Sequence, residues 1–139
     1  MKNRYKNVTR QVIKELTAIV GSDHISTKEN EIEDYSHDEM AITESHAPQV
    51  ILRPADTRSV ARVMAYANRN MLPVTPRGAG TGVSGGCVPV YGGIVLSLER
   101  MNRILEIDSD NFVAVVEPGV TLSDFYAPPN SLFNGIGRL

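Results

Sequence analysis

A chain of 139 residues has room for one small domain with its own core and not for a second, because domains commonly run to about 100–150 residues. With 42% apolar and 22% charged residues its balance is that of an ordinary globular protein, which excludes a disordered or fibrous chain. The 14 basic and 16 acidic side chains leave a formal charge of -2 and no concentrated positive field, so nucleic acid is not an expected partner.

In chain order, Val8, Val12, Ile13, Leu16, Ile19 and Val20 recur at three- and four-residue steps and mark one stripe of a helix that Gly21 ends. Ser22 to Pro48 holds all three histidines and shows weak periodicity; it reads as irregular with one short turn of helix. Val50-Ile51-Leu52, closed by Pro54, suits a buried strand. Either Asp56 or Thr57 offers a capping oxygen for an amphipathic helix through Val60, Val63, Met64 and Ala67 to Asn70. Leu72 to Thr75 returns as a strand, and a strand–helix–strand unit most simply sets two parallel strands side by side.

Ile94 to Leu98 is a further apolar run. Ile104–Ile107 and Phe112–Val116 then flank the polar turn Asp108-Ser109-Asp110-Asn111, the pattern of a hairpin. Thr121 to Tyr126 suits a short helix with Thr121 as its cap, and Ala127 to Leu139 shows no period. No apolar run approaches the roughly 20 residues that span a bilayer, and Met1 to Arg10 is polar, so neither a transmembrane segment nor a secretory signal is expected. The single cysteine, Cys87, has no internal disulfide partner, which fits a cytoplasmic setting. His24, His37 and His46 match no metal-ligand spacing, and no metal site is expected.

The chemistry concentrates in Pro76-Arg77-Gly78-Ala79-Gly80-Thr81-Gly82-Val83-Ser84-Gly85-Gly86, where five glycines follow a strand. Glycine admits positive φ and lets a ligand approach the main chain, and successive amides in such a loop can converge on a phosphate. Thr81 and Ser84 add hydroxyl donors, and Arg77 either supplies a charge-assisted bond or holds the loop from outside. A flexible linker is a poorer reading, since apolar strands stand on both sides. Gly80-Thr81-Gly82-Val83-Ser84-Gly85 satisfies the dinucleotide fingerprint in letters, with Glu99 about 20 residues on where a ribose-binding acid belongs. That fingerprint needs a helix to start within it, and Gly86-Cys87-Val88-Pro89-Val90-Tyr91-Gly92-Gly93 is no helix. A nucleoside triphosphate loop fails as well, because no Lys-Ser or Lys-Thr pair follows the glycines.

Three blocks, Pro73 to Gly86, Gly92-Gly93-Ile94-Val95-Leu96-Ser97-Leu98-Glu99-Arg100-Met101-Asn102 and Val116-Glu117-Pro118-Gly119-Val120, resemble in that order the FAD-binding domain shared by the flavoprotein component of glycolate oxidase and D-lactate dehydrogenases. This domain is of the vanillyl-alcohol oxidase and p-cresol methylhydroxylase (PCMH) type. Tyr35-Ser36-His37-Asp38 is similar to a further segment upstream, and the resemblance spans roughly residues 5–126.

The resemblance implies an α+β fold: the first part of a PCMH-type FAD-binding domain, a β-α-β unit plus a hairpin, behind an N-terminal helical segment. The expected divisions are an N-terminal extension at 1–47, the partial FAD domain at 48–126 and a divergent tail at 127–139. It also implies FAD as cofactor, with the pyrophosphate wrapped by Pro76, Arg77, Gly78, Ala79, Gly80, Thr81, Gly82, Ser84, Gly85 and Gly86, and with Glu117, Pro118, Gly119 and Val120 beside it.

Cys87 departs from the alanine usual in the family. Some distant members tether flavin through cysteine, but a small packed residue is the preferred reading. In the resembling family the substrate domain, its histidines and the second half of the FAD domain lie after the point where this sequence ends. No catalytic residue is therefore assigned, and this chain alone is expected to be inactive and to bind FAD weakly or not at all. The expectation is a truncated FAD-linked oxidoreductase subunit. Its alternatives are a non-catalytic phosphate- or nucleotide-binding module, or one half of a split flavoprotein completed by a complementary chain.

Overall fold

A computed structural model describes residues 4–39, 44–108 and 110–126. The tail expected at 127–139 and Ser109 of the expected turn lie outside them. The first helix, α1 (Arg10–Val20), starts where the Thr9 hydroxyl accepts from the Val12 amide, and ends at Gly21 with φ +92°. Where irregular chain was expected, a 3-10 turn (Ser22–His24), a two-residue strand β1 (Ile25–Ser26) and a six-residue helix α2 (Glu29–Asp34) follow. Elements this short carry too few residues to display a period.

The strand β2 (Val50–Leu52) leads to helix α3 (Thr57–Asn70), and of the two capping candidates Asp56 is used: its Oδ1 accepts from the Ser59 amide at 2.7 Å. After the left-handed Met71, the Leu72 amide still bonds back to Ala67, so strand β3 begins two residues later than expected, at Val74–Arg77. Pro76 and Arg77 are therefore strand residues, and the glycine loop proper starts at Gly78. A proline is tolerated there because β3 pairs on one side only.

The expected neighbours β2 and β3 are indeed parallel, but not adjacent. Strand β4 (Ile94–Ser97) inserts between them, pairing Val50–Leu52 on one side and Val74–Arg77 on the other, to give the order β1-β2-β4-β3 with β1 antiparallel. All four residues of β4 are buried, as a central parallel strand requires. Val50, Leu52, Ile94 and Leu96 face a core shared with Val63 and Ala67 of α3 and Leu16 and Val20 of α1. The N-terminal helix thus packs into the same core as the parallel sheet.

A separate two-stranded sheet pairs β5 (Ile104–Asp108) with β6 (Val113–Val116), and the pairing steps past Leu105, which bulges out. The Asp108 carboxylate accepts from the Asp110 and Asn111 amides, as a turn-forming aspartate does. Phe112, expected in the second strand, instead takes the left-handed position of the turn with φ +54° and lies 69% exposed. At the open end Arg103 and Glu117 exchange three bonds: the Arg103 amide to Glu117 Oε2, its Nη2 to Oε1 at 2.6 Å, and the Glu117 amide to the Arg103 carbonyl. The arginine's hydrogen bond holds the Glu117 carboxyl below its ordinary 4.5.

Leu16 is fully buried, so Leu16→Ala is expected to lower unfolding free energy by about 2–5 kcal/mol, read from denaturant midpoints; a loss near zero would detach α1 from the core. Because the folded pKa of Glu117 is depressed, its contribution is present above the unfolded value and is lost as pH falls through the lower folded value. The stability gap between wild type and Glu117→Gln is thus expected to hold steady near neutrality and to close in acid below pH 4.5. Parallel urea titrations across that range check it.

Candidate cofactor site

Parallel strands deliver their carboxyl ends to one side of the sheet, and ligands of α/β sheets gather there. Here those ends carry Arg53 after β2, Arg77 closing β3 and Glu99 after β4. The Arg53 guanidinium contacts Glu31 at 2.8 Å and Glu99 at 2.7 Å, and the Tyr35 hydroxyl donates to Glu99 at 2.9 Å. The Tyr35 ring lies between two guanidiniums, with Arg53 at 5.4 Å and Arg77 at 5.1 Å from its centroid. Glu99 is thereby engaged by Arg53 and Tyr35, which removes it as the ribose acid of a dinucleotide fingerprint.

The Arg77 side chain packs against the 34–37 segment and Cys87. Its Nη1 donates to the His37 carbonyl at 2.6 Å and contacts the Cys87 sulfur at 3.3 Å, while Nη2 reaches the Asp34 carbonyl at 3.3 Å. Of its two expected roles, its side chain takes that of holding the loop from outside. Gly80, at φ +79°, folds directly over this guanidinium, and a Cβ there would collide with it.

No helix rises out of Gly82, and the loop continues through turns to Val88. Its two sides differ. Gly82 and Gly85 meet the 38–39 segment: the Glu39 amide donates to the Gly82 carbonyl, and the Gly85 amide donates to Asp38 Oδ2 at 2.8 Å. On the other side Gly78 approaches the Pro118 carbonyl, and Ala79 and Thr81 line an open cleft of about 550 Å3 with Val120, Thr121, Leu122 and Ser123. Ser84 and Gly86 are exposed, and Cys87 is half-buried.

The structure thus brings Ala79 and Thr81 to the same cleft as Val120, and sets Gly78 near the Pro118 carbonyl. The Glu117 side chain is spent on Arg103 instead. Gly119 sets this second wall: its amide bonds the Met101 carbonyl, and a Cβ would strike the Leu98 carbonyl, so only glycine lets 117–120 lie against the turn after β4. Beyond Val120 the chain forms helix α4 (Leu122–Tyr126). As expected, Thr121 caps it, its hydroxyl accepting from the Asp124 amide, and the Thr121 hydroxyl in return holds the Asp124 carboxyl below its ordinary range.

Sequence reasoning missed Thr121, Leu122 and Ser123 as cleft walls, and Asp38 as a contact of the loop. Thr121 carried a capping signal, but nothing local in the sequence says which wall a short helix completes. Ser97, at the end of β4 and in register with Arg77, is wholly buried with an unpartnered hydroxyl. Among the described residues no three of His, Cys, Asp and Glu converge on a point, and no helix is long and apolar enough to cross a membrane.

Ala79 and Thr81 of the glycine-rich loop line this cleft beside Val120, a lining whose main chain and Thr81 hydroxyl a phosphate-bearing cofactor could use. Residues 48–129 match the FAD binding domain family. The chain is 40% identical over 121 residues to the D-lactate dehydrogenase of Anaerostipes hadrus and 33% identical over 117 residues to glycolate oxidase subunit GlcD of Bacillus subtilis strain 168. Those alignments cover 87% and 84% of this chain but 25% of each relative, so it spans about a quarter of their length.

Among solved structures, p-cresol methylhydroxylase with substrate bound superposes with a TM-score of 0.74 at 28% identity, over 88% of this chain and 25% of that one. Loop, cleft and sheet order therefore have one common explanation: this chain belongs to the FAD-binding domain family, in the PCMH-type fold, alongside D-lactate dehydrogenases and the flavoprotein component of glycolate oxidase.

Proposed function

We propose that this chain carries the diphosphate-binding part of an FAD-linked oxidoreductase that acts on a 2-hydroxy acid of the glycolate or D-lactate kind. The observation that carries the reading is the cleft in which Ala79 and Thr81 face Val120, Thr121 and Ser123. The amides of 78–82 and the Thr81 hydroxyl hold the diphosphate oxygens, while Pro76 and Arg77 anchor the start of the loop. Ser84, Gly85 and Gly86 shape its exit, while Val120 lines the opposite wall and Glu117, Pro118 and Gly119 hold that wall in place. FAD, when bound, supplies the acceptor for the hydride of the substrate carbinol. The unpaired Cys87 suits a cytoplasmic setting.

Alone, the described residues bury little that could grip the rest of a flavin. Leu105, Phe112, Val113, Val115 and Leu122 of the hairpin and α4 are 45% exposed or more. A split arrangement, in which a complementary flavoprotein chain covers these side chains, is favoured by that exposure over a free-standing phosphate-binding module.

Calorimetric titration tests the diphosphate reading. FAD and ADP, which share a diphosphate, are expected to bind weakly and comparably, and riboflavin, which has none, not to bind. Thr81→Val is expected to weaken both diphosphates about three- to tenfold through the lost hydroxyl. Riboflavin binding as well as FAD would count against it, and purified protein already holding flavin one to one would overturn the expected weakness of binding.

A further inference from the structure

The segment 34–39 precedes the part of the chain matched to the FAD-binding family at 48–129, and nothing in that match gives it a role. It is nevertheless tied to the glycine loop at both ends. Near the start of the loop, the Arg77 guanidinium donates to the Asp34 and His37 carbonyls over the Tyr35 ring. Near its exit, the Glu39 amide holds the Gly82 carbonyl at 3.1 Å and Asp38 Oδ2 accepts from the Gly85 amide at 2.8 Å. Asp38 is 6% exposed, and a carboxylate taken that far out of water requires donors.

We propose that Asp38 is a positioning residue for the diphosphate loop: its carboxylate takes the Gly85 amide and fixes the exit half of the loop before a ligand arrives. A run holding Gly78, Gly80, Gly82, Gly85 and Gly86 has more backbone freedom to lose than a run of residues bearing Cβ atoms. Setting that conformation in advance removes an ordering cost from binding. It also divides the labour within the loop. The Gly85 amide is committed to the protein's own anion, so the amides offered to a diphosphate are those nearer Gly78, on the cleft side.

The inference rests on the cleft being a diphosphate site, and its test separates the two. Amide hydrogen exchange is measured on the full 139-residue chain as wild type, Asp38→Ala and Asp38→Asn, together with FAD titrations. Both variants remove the charge, but only asparagine keeps an acceptor for Gly85. In Asp38→Ala, exchange at Gly85 and its loop neighbours is expected to rise about tenfold or more while the amides of 94–97 keep their protection. Asp38→Asn is expected to stay near wild type and to bind FAD about tenfold more tightly than Asp38→Ala.

Unchanged loop exchange in Asp38→Ala would overturn the proposal, and so would equal FAD affinity of the two variants where wild type binds FAD measurably. Loss of protection at 94–97 would make Asp38 a residue of the fold instead and overturn it equally. If wild type takes up no FAD while the exchange pattern is as expected, the ordering role of Asp38 stands and the flavin reading of the cleft falls.

Discussion

The Arg77 guanidinium ends β3 half-buried and with five donor hydrogens, and what surrounds it follows from satisfying them. The carbonyls of Asp34 and His37, the Cys87 sulfur and the face of Tyr35 gather at one point. The chain leaving β3 passes over this filled space at position 80, where the positive φ and the absence of a Cβ both suit glycine. The arginine thus ties the glycine loop to the 34–37 segment, in line with the second of its two expected roles, holding the loop from outside. Cys87 contributes its sulfur to that contact, in keeping with a small packed side chain more than with a flavin tether.

Sheet order extends the same constraint. With β4 between β2 and β3, the three parallel carboxyl ends stand side by side and place Arg53, Arg77 and Glu99 around Tyr35. Opposite charges and an aromatic face offset the cost of grouping two cations. The turn after β4 then receives Gly119 in close contact, so the second wall of the cleft is set by the central strand and the first by its neighbour. A rigid three-strand comb thus controls the spacing of both walls, as a cofactor site requires.

The hairpin has no such support. Among the described residues its two strands pair only with each other, leaving Leu105, Phe112, Val113 and Val115 exposed on a sheet with open edges. The Arg103–Glu117 contact closes its base beside the cleft wall, so the order of that wall depends in part on an ion pair whose arginine is largely exposed. A partner or continuing polypeptide that buried these side chains would stiffen the cleft as well as enlarge it, which connects the share of the relatives covered here with the weak flavin hold proposed for the chain.

The sequence by itself determined the elements whose residues repeat: α1 and α3 from their apolar stripes, β2 and β4 from their short apolar runs, and the Thr121 cap from its oxygen three residues before Asp124. It also determined the family, because glycine spacing and the Glu117-Pro118-Gly119 block are dictated by backbone approach and so stand in the letters themselves. Only the tertiary structure decided that β4 divides β2 from β3, since strand order depends on which hydrophobic faces meet and not on chain order. Only the tertiary structure, too, turned Arg77 inward, put Phe112 in the turn and brought Asp38 to Gly85. Each of these joins groups far apart in the chain, or sets a dihedral that residue type disfavours. A contact across 47 residues leaves no period or local preference by which sequence alone could announce it.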